Sequence, residues 1–367
     1  PQGQIFDVQL KGSGRTFYSR GGDGRAPLGP VVREYLISEA MHRLGVPTTR
    51  SLAIVTTGET VHRQTPSPGA VLTRVARSHL RVGSFEFLSA RGEMEALKTL
   101  ADYAIQRLAP ELAQEEDRYL QFYRKVIEQQ TELVAQWMAV GFIHGVMNTD
   151  NTSISAETID YGPCAFMDEF RFDQVFSSID QGGRYSFGNQ PTILRWNLGC
   201  LGQCLVSLVA PKEEDAIPLL QKELDRTLSL FETHWLRQMR EKLGLIDEDD
   251  SDSDLISQWL TYLQRHQLDY TLSFQKLQTA LTDEAACELP KGESWLRFYK
   301  DWSARISKQG GSIESARDLM KKRNPVYIPR NHMIEKVIQQ MEVGEDALFK
   351  KMQDVLEDPF KESKSAE

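Results

Sequence analysis

The chain has 367 residues, of which 40% are hydrophobic, and it carries a formal net charge of −9 at pH 7. This length and hydrophobic content suit one large domain or two lobes with a sizeable core. The negative charge argues against a general nucleic-acid binder, and no apolar run approaches the roughly 20 residues of a membrane span. We therefore expect no nucleic-acid partner and no membrane partner. Because the four cysteines form no C-x-x-C motif, we expect buried free thiols in a reducing compartment.

The chain opens on a segment that is predicted to be a strand. Residues 4–12 alternate apolar and polar side chains and carry Lys11 near their end. A turn rich in glycine and arginine follows over residues 12–25. Its backbone N–H groups suit a phosphate cradle, although an ordinary turn explains the same composition. The apolar side of the strand consists of Ile5, Val8 and Leu10.

Residues 30–44 are predicted to form a helix that Gly45 ends. This helix carries two carboxylates, Glu34 and Glu39. A protein kinase needs a strand lysine paired with a carboxylate of the next helix, so that the lysine points at the nucleotide phosphates. Lys11 and Glu34 stand in that order and in those elements. The alternative, on local evidence alone, is that Lys11 and Glu34 are two ordinary surface charges.

Two strands are predicted over residues 50–57 and 70–76, joined by a proline-containing turn at residues 65–69. The second strand carries Arg74 and leads towards Arg81. Arginine is suited to bidentate recognition of phosphate. A solvated charged edge is the alternative interpretation of the same residues.

The rest of the chain is predicted to be mainly helical. Gly141 can cap the helix before it, so a loop is expected to begin there. The acidic run at residues 247–254 lacks the glycine of a calcium loop and is interpreted as a solvated linker with a helix N-cap. The polar tail, residues 361–367, is expected to be frayed. The predicted helices cover residues 92–109, 114–140, 190–210, 214–243, 254–280, 292–308 and 331–355.

The loop after Gly141 carries the chemistry. Residues 144–151 read His-Gly-Val-Met-Asn-Thr-Asp-Asn, and Asp-Tyr-Gly follows at residues 160–162. The kinase catalytic loop is H-R-D-L-x-x-x-N, followed by D-F-G, and its Asn and the D-F-G Asp hold magnesium. By this count Asn151 and Asp160 are the metal ligands. Carboxylate and amide oxygens accept either Mg²⁺ or Mn²⁺.

One position of the loop departs from the kinase pattern. Val146 stands where the catalytic aspartate should be, and an apolar side chain cannot accept a proton. The nearest replacement is Asp150, beside the metal-binding Asn151. Two other functions stay open: a phosphotransferase, since the loop also resembles the H-G-D-x-x-x-x-N loop of antibiotic kinases, and a non-catalytic nucleotide-binding pseudokinase scaffold.

Taken together, these segments resemble the selenoprotein O family, which consists of protein adenylyltransferases with a pseudokinase fold. The segments are long and unusual, and they span roughly the first half of the chain. The resemblance is carried by residues 9–14, 22–25, 33–34, 38–42, 69–82, 144–151, 160–163, 183–187 and 189–191.

The resemblance implies an α+β, protein-kinase-like fold with two lobes. A small mixed N-lobe, incomplete here, is expected over residues 1–88, and a larger, mostly helical C-lobe over residues 89–367. Because the chain begins at Pro1 and the family's Gly-rich loop and C-terminal extension are not found in it, we expect it to be truncated at both ends. The expected location is cytoplasmic, or mitochondrial in a eukaryote.

The resemblance also implies an activity and a set of site residues. AMP is transferred from ATP to Ser, Thr or Tyr hydroxyls of protein substrates, with the triphosphate reversed relative to a kinase. The implied roles are proton acceptor for Asp150, an ion pair for Lys11 with Glu34, nucleotide contacts for Asp23, Gly24, Arg74, Arg81 and Asp160, and metal ligands for Asn151 and Asp160.

Overall fold

The protein has an α+β architecture, as expected from the sequence. The computed structural model describes residues 5–17, 19 and 21–363, so residue 4 of the predicted first strand and residues 364–367 of the polar tail lie outside the described residues. The strands are β1 Asp7–Lys11, β2 Ala26–Pro27, β3 Arg50–His62, β4 Pro66–Ala76, β5 Phe142–Ile143 and β6 Ala165–Phe166. The helices are α1 Leu28–Arg43, α2 Val82–Ser89, α3 Met94–Leu108, α4 Arg118–Ala139, α5 Gln190–Val209, α6 Glu213–Asp225, α7 Thr227–Lys242, α8 Asp252–Arg265, α9 Tyr270–Ala280, α10 Glu293–Lys308, α11 Ile313–Arg323, α12 Asn331–Glu342 and α13 Ala347–Leu356.

The larger sheet is antiparallel and is organised around β4, which pairs with β1, β2 and β3. The predicted turn at residues 65–69 is wrong, because β4 already begins at Pro66 and pairs with β3 through Pro68. Before Gly69, the other edge of β4 pairs with none of the described strands. Proline is tolerated there because its missing N–H interrupts no ladder on that edge.

Strand β1 directs its polar side chains, not its apolar ones, towards the protein. Val8 and Leu10 are 65% and 54% exposed, whereas Gln9 and Lys11 are partly buried. Because successive residues of a strand point to opposite faces, Gln9 and Lys11 share one face. That face lies against the charged groups of the candidate active site described below.

Helix α1 lies on the larger sheet and confirms the helix predicted over residues 30–44. It starts at Leu28 and ends where Gly45, with φ of +81°, adopts the left-handed conformation that glycine allows. A small apolar core joins α1 to the sheet and to α12. Its members are Ala26, Leu28, Val31, Val32, Leu36, Ala70, Leu72 and Val337.

A larger core fills the helical part of the chain, where α4 packs against α5, α6 and α7. Helix α5 and the turn before it, Phe187–Val209, are long and apolar enough to cross a membrane, which the sequence expectation had missed. Length and composition are weak evidence, since core helices of soluble proteins pass the same test. Ten residues of α5, from Gln190 to Leu205, are buried.

The helix predictions differ from the structure mainly where one helix ends and the next begins within a single predicted helix. The predicted helices 214–243, 254–280 and 331–355 are each two helices, and α2 and α11 were not predicted. Gln267 and Gly344, which both have positive φ, lie at two of the breaks. The acidic run is not simply a solvated linker, because buried Asp252 accepts a hydrogen bond of 2.8 Å from Arg305 Nε.

Candidate active site

The candidate catalytic loop is anchored at its base by a short antiparallel pair. Helix α4 ends at Ala139, and Gly141, with φ of +74°, turns the chain into β5. Strand β5 pairs with β6, which holds the two ends of the segment 144–164 together. The loop therefore begins where the sequence predicted, after the glycine that ends the helix.

Buried polar side chains fix the conformation of this loop. The Gln190 side chain accepts from His144 N–H and donates to Phe142 O, both at 3.1 Å. The imidazole Nε2 of His144 donates to Ile159 O at 2.9 Å, while Nδ1 faces Val146 N–H. Complete burial lowers the pKa of His144, so the neutral ring links the catalytic loop to the Asp-Tyr-Gly segment.

Four charged side chains from separate parts of the chain form one cluster. Lys11 Nζ lies 2.6 Å from Glu34 Oε2 and 3.0 Å from Asp160 Oδ1. Arg74 Nη2 donates to Asp160 Oδ1 at 2.7 Å, and Arg74 Nε donates to Glu34 Oε1. Gln9 Oε1 accepts from Arg74 Nη1 at 3.2 Å. The predicted pair of Lys11 with Glu34 is thus present, and Arg74 closes it into a ring with Asp160.

The members of this cluster stabilise one another in their charged forms. Burial opposes the charge of Glu34, but Arg74 and Lys11 outweigh that effect and lower the pKa of its carboxyl group. Asp160 behaves in the same way: Lys11 and Arg74 lower its pKa against the effect of burial. Burial opposes the charge of Arg74 as well, but the two carboxylates outweigh that effect and raise the pKa of its guanidinium group. Glu34, Asp160 and Arg74 are therefore ionised at neutral pH.

Arg81 connects the catalytic loop with this cluster. Its Nη1 donates to Asp150 O at 2.9 Å. Burial and the like charge of Arg74 lower the pKa of Arg81, whereas Asp160 and Asp150 favour its charged form. An arginine remains protonated in spite of such a shift. Arg81 is thus a partly buried cation beside the catalytic loop, and such a cation attracts an anionic ligand.

A hydrogen bond fixes the side-chain amide of Asn151. Its Nδ2 donates to Val146 O at 3.0 Å, so Oδ1 is the atom that could bind a cation. Among the described residues, no group of three or more His, Cys, Asp or Glu is arranged around a metal position. Asn151 and Asp160 bear the kinds of oxygen atom that magnesium accepts, and magnesium binds few protein ligands together with phosphates and water.

Asp23 and Gly24 contact Arg63 and residues of the Gly-rich turn. The carboxylate of Asp23 accepts from Arg63 at 2.7 and 3.0 Å and from Arg25 N–H at 3.0 Å. Gly24, with φ of +68°, brings its carbonyl to Gly14 N–H at 3.1 Å, and a Cβ would lie 2.0 Å from Gly14 O. These contacts fold the Gly-rich turn on itself, and the predicted nucleotide contacts of both residues stay predictions.

The sequence analysis assigned no role to three residues near the site. Gln9 contacts Arg74, and the period of two in β1 could have placed it beside Lys11. Arg33 donates to Gly162 O at 3.0 Å and also to Cys164 O, and so binds α1 to the Asp-Tyr-Gly segment. Gly83 lies against Asp150, and no sequence pattern points to that approach.

Comparison with known proteins identifies the family. Residues 1–358 match the model of the family described as protein adenylyltransferase SelO. The chain belongs to this family. The resemblance inferred from the sequence is thereby confirmed, and so is the enzyme class, a nucleotidyltransferase that acts on proteins.

Bacterial relatives agree with the SelO assignment. The protein nucleotidyltransferase YdiU of Bacillus cereus strain G9842 is 48% identical over 362 residues, which are 98% of this chain and 74% of the relative. The YdiU proteins of Halalkalibacterium halodurans and Geobacillus kaustophilus are each 50% identical, over 365 and 361 residues. These matches cover 99% and 98% of this chain and 74% of each relative. The chain thus spans about three quarters of the relatives' length.

Proposed function

We propose that this SelO-family protein transfers AMP from ATP to Ser, Thr or Tyr hydroxyls of proteins, with a two-lobed, kinase-like fold. Residues 1–88 form the N-lobe in this proposal, and residues 89–367 form the C-lobe. The observation that carries it is the ring of Lys11, Glu34, Arg74 and Asp160, which joins the sheet and α1 to the catalytic loop region. The ring supports an ATP site between the two parts of the chain.

The charges around the ring support binding of a triphosphate. Lys11, Arg74 and Arg81 supply three positive charges close to where the phosphates would bind. Glu34, Asp160 and Asp150 supply three negative charges, so a bound divalent cation would provide the excess positive charge. Phosphoryl-type transfer depends on positioning and on neutralising developing charge more than on covalent chemistry of the protein. The reversed orientation of the triphosphate, which the family resemblance implies, is part of the proposal. Arg74 and Arg81 can neutralise phosphates that occupy a different position in a kinase.

A divalent cation fits the donor set in this proposal. Asn151 offers an amide oxygen, and Asp160 offers a carboxylate whose lowered pKa keeps it ionised. Mg²⁺ or Mn²⁺ bound there would neutralise phosphate charge. Both metals accept these oxygen ligands, so titration of the apo-enzyme with each metal is the measurement that ranks them.

Asp150 is proposed as the acceptor of the substrate hydroxyl proton. Its backbone carbonyl is held by Arg81 at 2.9 Å, which fixes the residue beside the cationic groups. Val146, at the position of a kinase's catalytic aspartate, has no proton acceptor. Transfer of AMP forms a bond between the hydroxyl oxygen and the α-phosphorus, releases pyrophosphate and passes the hydroxyl proton to the Asp150 carboxylate.

The proposal is tested with full-length protein and ATP labelled on either the α- or the γ-phosphate. We expect only the α label to reach protein, and we expect Asp150→Ala to abolish the transfer. Asp225→Ala is a matched control, because Asp225 is an exposed carboxylate that pairs with Arg195 on another surface. Transfer of the γ label would indicate a kinase. Nucleotide binding without turnover, unaffected by Asp150→Ala, would indicate a scaffold.

The location is also proposed, as cytoplasmic or, for a eukaryotic source, mitochondrial. All four cysteines are free thiols in the structure, and three of them are buried, which is compatible with a reducing compartment. Fractionation of cells that express the tagged full-length protein tests this location. Recovery of the protein in a secreted or periplasmic fraction would contradict it.

A further inference from the structure

Gly83 lies in the first turn of α2, directly beside the candidate proton acceptor. A Cβ atom built on Gly83 would lie 2.3 Å from Asp150 Oδ1 and 3.4 Å from Asp150 N. The first distance is too short for any non-bonded contact, whereas the second is an ordinary one. A methyl group at position 83 would therefore displace the carboxylate of Asp150 and leave its backbone in place.

Backbone hydrogen bonds prevent the loop from moving away from α2 as a whole. Val82 N–H donates to Thr152 O at 3.0 Å, and Ile154 N–H donates to Leu80 O at 2.9 Å. Arg81 Nη1 adds its bond to Asp150 O. These contacts hold the loop against the start of α2 at Asp150 and in the residues that follow it. Rotation of the carboxylate is thus the cheapest response to a larger residue at position 83.

The backbone of Gly83 gives no reason for a glycine. Its φ does not lie in the left-handed region, in contrast to Gly24 and Gly45. Alanine forms helices more readily than glycine, because it loses less backbone freedom on folding. The close approach of Asp150 is the feature of this position that a side chain would disturb.

We propose that Gly83 is a positioning residue for AMP transfer. Its missing side chain lets the Asp150 carboxylate lie against the first turn of α2, where it can accept the proton of the substrate hydroxyl. This inference rests on the proposed role of Asp150, and it adds a residue that acts through Asp150.

The test uses full-length Gly83→Ala protein with Gly199→Ala as the matched control. Gly199 lies within α5, where a Cβ would make an ordinary contact of 3.6 Å with Leu224. We expect Gly83→Ala to lower kcat for AMP transfer about 100-fold, since misplacing a catalytic group by about 1 Å has an effect of that size. The melting temperature should be unchanged or raised. The affinity for an ATP analogue with a methylene bridge between the α- and β-phosphates should stay within about twofold of the wild-type value, since no ATP contact is removed.

A double-variant cycle separates this mechanism from a general structural effect. Asp150→Ala and Asp150→Ala with Gly83→Ala should have the same residual activity, because the displaced carboxylate is already absent. If Gly83→Ala lowers the melting temperature, the double variant should have the melting temperature of Asp150→Ala alone. A double variant that melts at a lower temperature than Asp150→Ala would overturn the inference. An active Gly83→Ala enzyme alongside an inactive Asp150→Ala enzyme would also overturn it while leaving the proposed function intact. An active Asp150→Ala enzyme would refute the role of Asp150, and with it this inference.

Discussion

The carboxylate of Glu34 is expected to be a main source of stability where α1 meets the sheet. Glu34 and Arg74 are 1% and 3% exposed, and Glu34 Oε2 also contacts Lys11 at 2.6 Å. Removing one partner of a buried ion pair costs about 3–5 kcal/mol. Glu34→Gln keeps the shape, and Arg74 keeps Asp160 as a partner. We therefore expect the lower end, a loss of about 3 kcal/mol in the free energy of unfolding.

Glu39→Gln provides the matched control on the same helix. Glu39 pairs with Arg50 at 2.6 Å, but the two side chains are 24% and 42% exposed. Solvent screens such a pair, so the expected loss is about 1 kcal/mol or less. Urea unfolding at pH 7, followed by circular dichroism, measures both differences. Equal losses for the two variants would refute the argument from burial.

The stabilisation by Glu34 should also depend on pH in a defined direction. Arg74 and Lys11 lower the pKa of Glu34 in the folded protein below the ordinary value of 4.5, although burial opposes the shift. A lowered carboxyl pKa contributes stability that is complete above the unfolded-state pKa and is lost as the pH falls through the folded-state pKa. The difference between wild type and Glu34→Gln should stay constant from about pH 7 to 5 and shrink below pH 4.5. A difference that grows on acidification would contradict the assigned direction.

Two further predictions concern the segment around Asp-Tyr-Gly. Arg33→Met removes the donors to Gly162 O and Cys164 O. The metal concentration for half-maximal activity should therefore rise about tenfold, which corresponds to a loss of about 1.4 kcal/mol. The control Glu335→Gln removes only the 3.3 Å ion pair of Arg33 and should leave that concentration unchanged. Burial raises the pKa of the Cys164 thiol to about 12, so iodoacetamide at pH 8 should modify it only after unfolding. Peptide mass spectrometry checks this labelling, and modification of the native protein at the rate of a free thiol would contradict it.

Local sequence patterns predicted much of the secondary structure, because they report on the chain's own backbone preferences. Gly141 lies where the chain turns with positive φ after α4, and Gly45 lies at the corresponding turn after α1. Breaks without such a strong signal were missed. The run 214–243 keeps a helical pattern through Arg226, yet α6 ends at Asp225 and α7 begins at Thr227, because each helix packs against α4 separately.

The sequence alone determined the family and the identity of the principal charged residues. The spacing of Asn151 and Asp160, together with Val146 at the kinase aspartate position, is a property of the chain itself. Only the tertiary structure decided which of the charged residues contact one another. Arg74 joins Glu34 to Asp160, and these partners lie 40 and 86 residues away from Arg74 along the chain.

The tertiary structure also decided which small residues matter. A sequence records that position 83 is glycine, but the reason for it is the distance from its missing Cβ to an oxygen of Asp150. Asp252 illustrates the same limit, since a run of acidic residues predicts exposure until Arg305 is found beside it. Distances and burial between segments that are remote in sequence arise from packing, and local patterns contain no information about them.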